Sequence, residues 1–296
     1  MSNVAQRCDV FRALHARAGC FVMPNPWDVG TARILTTLGF EALATTSAGL
    51  AFALGRRDSA AGLPRHVVLE NARAIAEATP LPVSADLEDG FGRAPEDCVE
   101  TIRQASAAGL AGGSIEDATG DPRAPLFERS EAVERIAASA EAARALGFVL
   151  TARCECFLHG QPDIDETIAR LQAYEAAGAD VLYAPGLPDL DAIRLVCRSV
   201  SLPVNVVMGL SGPAYSVSQL AEAGVRRVRV GGSFARAALG AFLRAAREVR
   251  VRHVPLRDRR HPRQRGKRVH GGHAALIAGA GTCAERSLCN RQAVAG

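Results

Sequence analysis

Three carboxylates fall within four positions of the segment "SADLEDGFG": Asp86, Glu88 and Asp89. They follow the apolar "PLPV", which reads as the start of a buried strand over Val83 to Leu87. On an extended chain Asp86 and Glu88 point to the same side, and like charges on one face repel unless something positive joins them. Two other segments offer related groups, "GGSIED" with Glu116 and Asp117, and "TARCECF" with Arg153 and Glu155. A few carboxylates completed by water and substrate suit a hard ion such as Mg²⁺, with Mn²⁺ as a substitute. A guanidinium, permanently charged and planar, suits a substrate carboxylate or a developing oxyanion. The plain alternative for any one acid is that it starts a turn or caps a helix, and Asp89 and Asp117 are read that way. Asp86, Glu88, Glu116 and Arg153 together ask for a cation.

Missing residue types narrow the chemistry. The chain's single lysine is Lys267, so residues 1–250 contain none. Schiff-base and pyridoxal phosphate chemistry both need a lysine amine and are excluded from that region. Without lysine, a carbanion or enolate must be stabilised by metal, arginine or backbone amides. The eight cysteines show no CxxC spacing and read as reduced thiols. Cys154 and Cys156, spaced CxC, are either small core residues or a minor metal-binding candidate.

These groups must be carried by elements, and the elements repeat. From residue 20 to 250, apolar runs alternate with amphipathic stretches, which implies strands paired in parallel through helical crossovers. The runs lie at 20–24, 41–45, 82–88, 112–117, 148–153, 180–185, 202–207 and 225–232. Between them are helical patterns such as "PEDCVETIRQASAAG" and "SEAVERIAASAEAARALG", several ending at a glycine that can cap a helix. Eight such units match a (β/α)8 TIM barrel, an α/β fold whose catalytic groups sit where strands end. A doubly wound open sheet is the alternative, but no GxGxxG follows the first run. The polar residues gather at the strand ends: Asn25 and Asp28; Thr46, Ser47 and Gly49; the acids above; Arg153 and Glu155; Asn205; and Gly231 to Ser233.

The formal charge of +4 is unevenly distributed. Residues 251–296 hold 10 Lys and Arg against 2 Asp and Glu, which leaves 25 against 29 for residues 1–250. The expected domain, residues 1–250, is therefore mildly acidic, and nucleic acid is not an expected partner. The segment 251–296 reads as a basic tail: a disordered end, an arm for anionic surfaces, or a C-terminus replaced by a frameshift. No apolar run is long enough for a membrane span or a secretory signal, and the expected location is the cytoplasm.

Six strings in register, "NPWDVGTARI", "TTSAGLAFALGRRD", "SADLEDGFG", "SIEDATGD", "TARCECF" and "VRVGGSFARAAL", resemble the isocitrate lyase and phosphoenolpyruvate mutase superfamily. The similarity is closest to its phosphonomutase-like and methylisocitrate-lyase-like branch. It implies a Mg²⁺-dependent carbon–carbon lyase acting on a small 2-oxo acid or related carboxylic acid through a stabilised enolate. Phosphonomutase-type C–P chemistry is one alternative, and a catalytically silent binding or assembly barrel is another. The resemblance implies that Ser47, Ala48 and Gly49 bind a substrate oxygen and that Asp58 lies near the metal. It implies Asp86 as principal metal ligand, with Glu88 and Glu116 holding its waters. Arg153 is to contact substrate, with Asn205 and Gly232 completing the pocket, and Arg153, Asp58 and Glu116 are the catalytic candidates. A homo-oligomer, dimer or tetramer, is also implied. The lyases' Lys-Lys-Cys-Gly-His loop is missing, and "DATGDPRAPLFERSEAV" stands after the fourth strand instead.

Overall fold

The structure is a computed structural model and describes residues 4–58, 62–209 and 212–251. The expected tail beyond Val251 lies outside the described residues. In chain order the elements are α1 (Val4–Ala16), β1 (Phe21–Val22), α2 (Val29–Thr37), β2 (Leu43–Ala44), α3 (Ser47–Ala53), α4 (Arg65–Glu77), β3 (Val83–Asp86), α5 (Pro95–Ala107) and β4 (Gly112–Glu116). They continue with α6 (Arg129–Leu146), β5 (Val149–Arg153), α7 (Ile164–Ala176), β6 (Val181–Tyr183), α8 (Leu190–Ser199), β7 (Val204–Val207), α9 (Val217–Glu222), β8 (Arg227–Arg229) and α10 (Ser233–Val251).

All eight expected strands form, each shorter than its apolar run, and all pair in parallel in the order β1-β8-β7-β6-β5-β4-β3-β2. The ends of this sheet meet where the Ala44 N–H donates to Pro24 O, 3.0 Å, closing the (β/α)8 barrel. Asn25 reinforces the seam: its Nδ2 donates to Thr45 O, and its Oδ1 accepts from the Val230 and Gly231 amides. The main core lies between the strands' outer faces and the helices, as their parallel pairing requires. A second cluster joins Phe11 and Leu14 of α1 to Phe21, Met23, Val149 and Val181, so the N-terminal helix seals the lower end of the barrel. Among the described residues no helix is long and apolar enough to cross a membrane.

Helix ends follow local chemistry. Asp28, Thr46, Asp163 and Asp189 cap α2, α3, α7 and α8 through their side chains. Gly147 ends α6 in the left-handed conformation, φ 67°. One expectation of strand geometry is corrected. β3 stops at Asp86, and Glu88 has φ 47°, so the pleat does not place Asp86 and Glu88 on one face. Glu88 turns out of the strand, and its carbonyl accepts the Glu116 amide at 2.9 Å.

Candidate active site

The C-terminal mouth of the barrel gathers the acids around Arg153. This residue ends β5 in register with Glu116 on one side and Tyr183 on the other. Its Nη1 lies 3.1 Å from Glu116 Oε2 and 3.6 Å from Asp86 Oδ1, and its Nε donates to Glu155 Oε1. Its guanidinium also lies 5.1 Å from the centre of the Tyr183 ring. The positive group demanded by the spacing of the acids is therefore an arginine from two strands away. Burial opposes its charge, but Glu116 and Glu155 outweigh that and raise its pKa well above the ordinary value. Burial raises the Glu116 carboxyl well above its ordinary range; Arg153 opposes the rise, and Glu155, Asp86 and Glu88 add to it. Burial likewise raises Glu155.

Several predicted substrate contacts are engaged within the protein. The Ser47 amide and hydroxyl both donate to Asp86 Oδ2, at 3.3 and 3.0 Å, so Ser47 positions this carboxylate. The Gly49 amide donates to Thr46 Oγ1, 3.3 Å, as part of the α3 cap, rather than facing the mouth. A Cβ on Gly49 would come within 2.6 Å of Thr46 and 2.8 Å of Trp27, which explains glycine there by packing. Ala48 is buried, and Gly232 lets the β8–α10 turn approach it, since a Cβ at 232 would sit 3.1 Å from the Ala48 methyl. Asp58 stands exposed at the rim. Crowding by protein atoms and then the Asp86 charge raise its carboxyl, with Arg236, Arg153 and a Ser47 hydrogen bond opposing.

Asn205 lies lower than expected. It is fully buried, and its Oδ1 accepts from Arg227 Nε at 2.7 Å. Arg227 also donates to Thr151 Oγ1 and to His15 Nε2. Arg229, two residues on, reaches Ser84 Oγ at 3.1 Å, and burial lowers its pKa. Buried Ser114 Oγ, Asn205 Nδ2 and Arg229 Nε accept or donate no hydrogen bond. A polar layer thus supports the mouth from below.

Asp117 is not a turn cap, contrary to its expected role. It is buried, and its carboxylate accepts from the Glu155 amide (2.7 Å), Tyr174 Oη (2.7 Å) and Arg170 Nη1 (3.1 Å). Through the Glu155 amide it fixes the segment that holds Arg153. Asp89 behaves as expected, accepting from the Phe91 amide within the turn. Tyr183, Arg229 and Arg236 were missing from the predicted site, and Glu155 was read only as a polar residue at a strand end. Arg153 and Glu155 bracket one residue, which is the signal that pairs them, whereas Tyr183 comes beside Arg153 only through the β5–β6 register.

The donor set can accept a hard cation. Asp86 Oδ1 accepts no hydrogen bond although buried, and Glu155, Asp86 and Glu88 add to the rise that burial imposes on the Glu116 carboxyl. Among the described residues, no three His, Cys, Asp or Glu side chains form a preassembled metal cage, so Asp86, Glu88 and Glu116 are neighbours rather than a closed set. An ion that keeps most of its water needs only one or two carboxylates.

A parallel barrel with an acid and arginine cluster at its C-terminal mouth defines the class of protein: an enzyme-type TIM barrel. The chain belongs to the phosphoenolpyruvate phosphomutase family, whose sequence profile matches residues 11–250, and so to the isocitrate lyase and PEP mutase superfamily of lyases and mutases. It is 56% identical to a Burkholderia cenocepacia protein described as a lyase/mutase, with TM-score 0.87 over 90% of this chain and 95% of that one. It resembles 2,3-dimethylmalate lyase at 28% identity and TM-score 0.81, over 92% and 96% of the two chains. Oxaloacetate decarboxylase of Chromohalobacter salexigens is 29% identical over 245 residues, 81% of this chain and 84% of that protein.

Proposed function

We propose that this protein is a divalent-metal-dependent lyase that breaks the carbon–carbon bond of a small 2-oxo acid or related carboxylic acid through a stabilised enolate. The supporting observation is Arg153 Nη1 ion-paired to both Glu116 and Asp86, whose Oδ1 accepts no hydrogen bond. The names of the relatives that act on oxaloacetate and 2,3-dimethylmalate point to the same substrate class. Asp86 is the residue to hold Mg²⁺ directly, with Glu88 and Glu116 on its waters. When bound, the ion supplies positive charge beside an oxygen that becomes negative as the bond breaks.

The chain's own residues supply the rest. Ser47 fixes Asp86 through two donors, so the carboxylate cannot rotate away. Arg153 turns part of its fork to the substrate carboxylate while Glu155 keeps its Nε. Asp58, at the rim and with its carboxyl raised by crowding and the Asp86 charge, is the group to carry a proton to the carbon left electron-rich by cleavage. The missing Cys loop makes Asp58 the proton carrier of choice.

Purified protein should turn over one of oxaloacetate, 2-methylisocitrate and phosphonopyruvate with Mg²⁺ and stop in EDTA. Cleavage of phosphonopyruvate alone would assign the C–P branch. Asp86→Asn should lower turnover on the order of 1,000-fold, the scale set by losing a key electrostatic group, and weaken Mg²⁺ binding in calorimetry. Undiminished turnover in EDTA ends the metal reading.

A further inference from the structure

Of the six free cysteines among the described residues, two touch beside the site. Cys154 and Cys156 are both buried, and Cys154 Sγ donates to Cys156 Sγ at 3.4 Å. They flank Glu155, the residue that fixes Arg153. Their side chains pack into the layer between the strands and the helices, away from the metal-binding acids. We propose that Cys154 and Cys156 are a redox-active dithiol that a hydroperoxide converts to a disulfide, and that the disulfide pulls Glu155 off Arg153 and silences the site. The silencing rests on the proposed lyase reading; the thiol chemistry does not.

The geometry favours this chemistry. A disulfide needs its sulfurs about 2.05 Å apart, and these are already in contact. The proton is shared unevenly: the bond donated by Cys154 holds the Cys156 thiol below its ordinary pKa, and the same bond, with burial, pushes Cys154 up. Cys156 is therefore the nucleophile. Its thiolate attacks one peroxide oxygen, the O–O bond breaks, and the alcohol, or water from hydrogen peroxide, leaves with a proton. The sulfenic acid at Cys156 is then attacked by Cys154 Sγ, the S–O bond breaks, and water carries off the Cys154 proton. Two thiols lose two electrons to the peroxide, and a thiol reductant reverses the change.

Access comes through the turn 156–160, which begins at Cys156 and carries half-exposed Leu158 at the surface. Local opening there is cheaper than global unfolding. Closing the ring moves the only residue it encloses. The Glu155 amide is tied to Asp117 Oδ1 and its carboxylate to Arg153 Nε, and both ties depend on the present course of residues 154–156.

The sequence provides a clean test. Trypsin cutting after Arg153 and Arg170 releases CECFLHGQPDIDETIAR, which holds these two cysteines and no others. After native protein is treated with hydrogen peroxide, denatured and alkylated, this peptide should lack two hydrogens and carry no alkyl group, and dithiothreitol should restore both sites. Exchange of the Glu155 amide should quicken, and turnover should fall about ten-fold or more, as expected for a displaced catalytic group. Cys154→Ala and Cys156→Ala should each keep basal turnover and ignore peroxide. Full alkylation of the treated peptide overturns the dithiol. A disulfide that leaves amide exchange and turnover unchanged overturns the switch. A chain inactive on every candidate acid ends the lyase reading while the mass and exchange measurements still judge this one.

Discussion

Arg153 joins three carboxylates from three different chain positions, and its worth depends on which of its nitrogens each one holds. Glu155 takes Nε, while Nη1 faces Glu116 and Asp86, so a substrate competes only for the far side of the fork. Arg153→Lys keeps the charge but offers one point instead of a planar fork. It should lower kcat/KM on the order of 100-fold, the cost of about an ångström of misplacement, with Mg²⁺ affinity nearly unchanged in calorimetry. Glu155→Gln keeps an acceptor for Nε but loses the charge. It should raise KM more than it lowers kcat, because the guanidinium then drifts toward Glu116 and away from the substrate. Equal losses in kcat and kcat/KM would instead place Glu155 in the transition state.

The elements show how much of this was legible in the sequence. The eight strands and the mouth were, because parallel strands buried on both faces read as apolar runs and their polar ends stand out. Charge asked for a positive group among the acids, but Arg153 was assigned to the substrate, and its ion pairs with Glu116 and Asp86 came only with the register of β3, β4 and β5. Asp117 was misread because its partners, Arg170 and Tyr174, lie on α7 more than 50 positions away. Glu88 was misplaced for a similar reason. The turn after β3 puts both Glu88 and Phe91 at positive φ, 47° and 62°, a conformation that costs non-glycine residues on the order of 1 kcal/mol each. It survives because Arg135 of α6 is buried against it, donating to Asp89 O, Gly92 O and Arg93 O. The Thr101 hydroxyl adds a bond to Gly90 O. Arg135→Met keeps the bulk and removes all three donors. Its cost should be about 3 kcal/mol or more, since hydrogen bonds to charged groups are worth roughly 1.5–3 kcal/mol and buried carbonyls are left unpaired. Urea denaturation measures that loss. Mg²⁺ calorimetry should show weaker binding as well, because Glu88 relaxes out of its turn; unchanged affinity would remove Glu88 from the metal's surroundings.

At the scale of the whole molecule, the barrel is filled unevenly, with acids above, arginines in the middle and an apolar plug below. His15 of α1 stands where the plug meets the arginines. Its Nδ1 donates to Phe11 O at 2.8 Å, and its Nε2 accepts from Arg227, which requires the neutral ring. Burial first, and then the Arg227 charge, lower its pKa from 6.5 to about 3. The sign follows directly. Below pH 6.5 the unfolded chain binds a proton at His15 that the folded protein refuses until about pH 3, so stability falls as pH drops through that window. The limiting slope for one proton is about 1.4 kcal/mol per pH unit. Glu116 and Asp58 work in the opposite sense, because their raised carboxyls take up protons in the folded state before the unfolded one. The net curve of the wild type therefore mixes both signs, and a difference between variants isolates the histidine. His15→Gln can accept from Arg227 and donate to Phe11 O without titrating. Stability curves from denaturant melts at pH 7 and pH 5 should show the variant losing less on acidification than the wild type. Parallel losses would mean that His15 is protonated in the fold and that Arg227 has another partner.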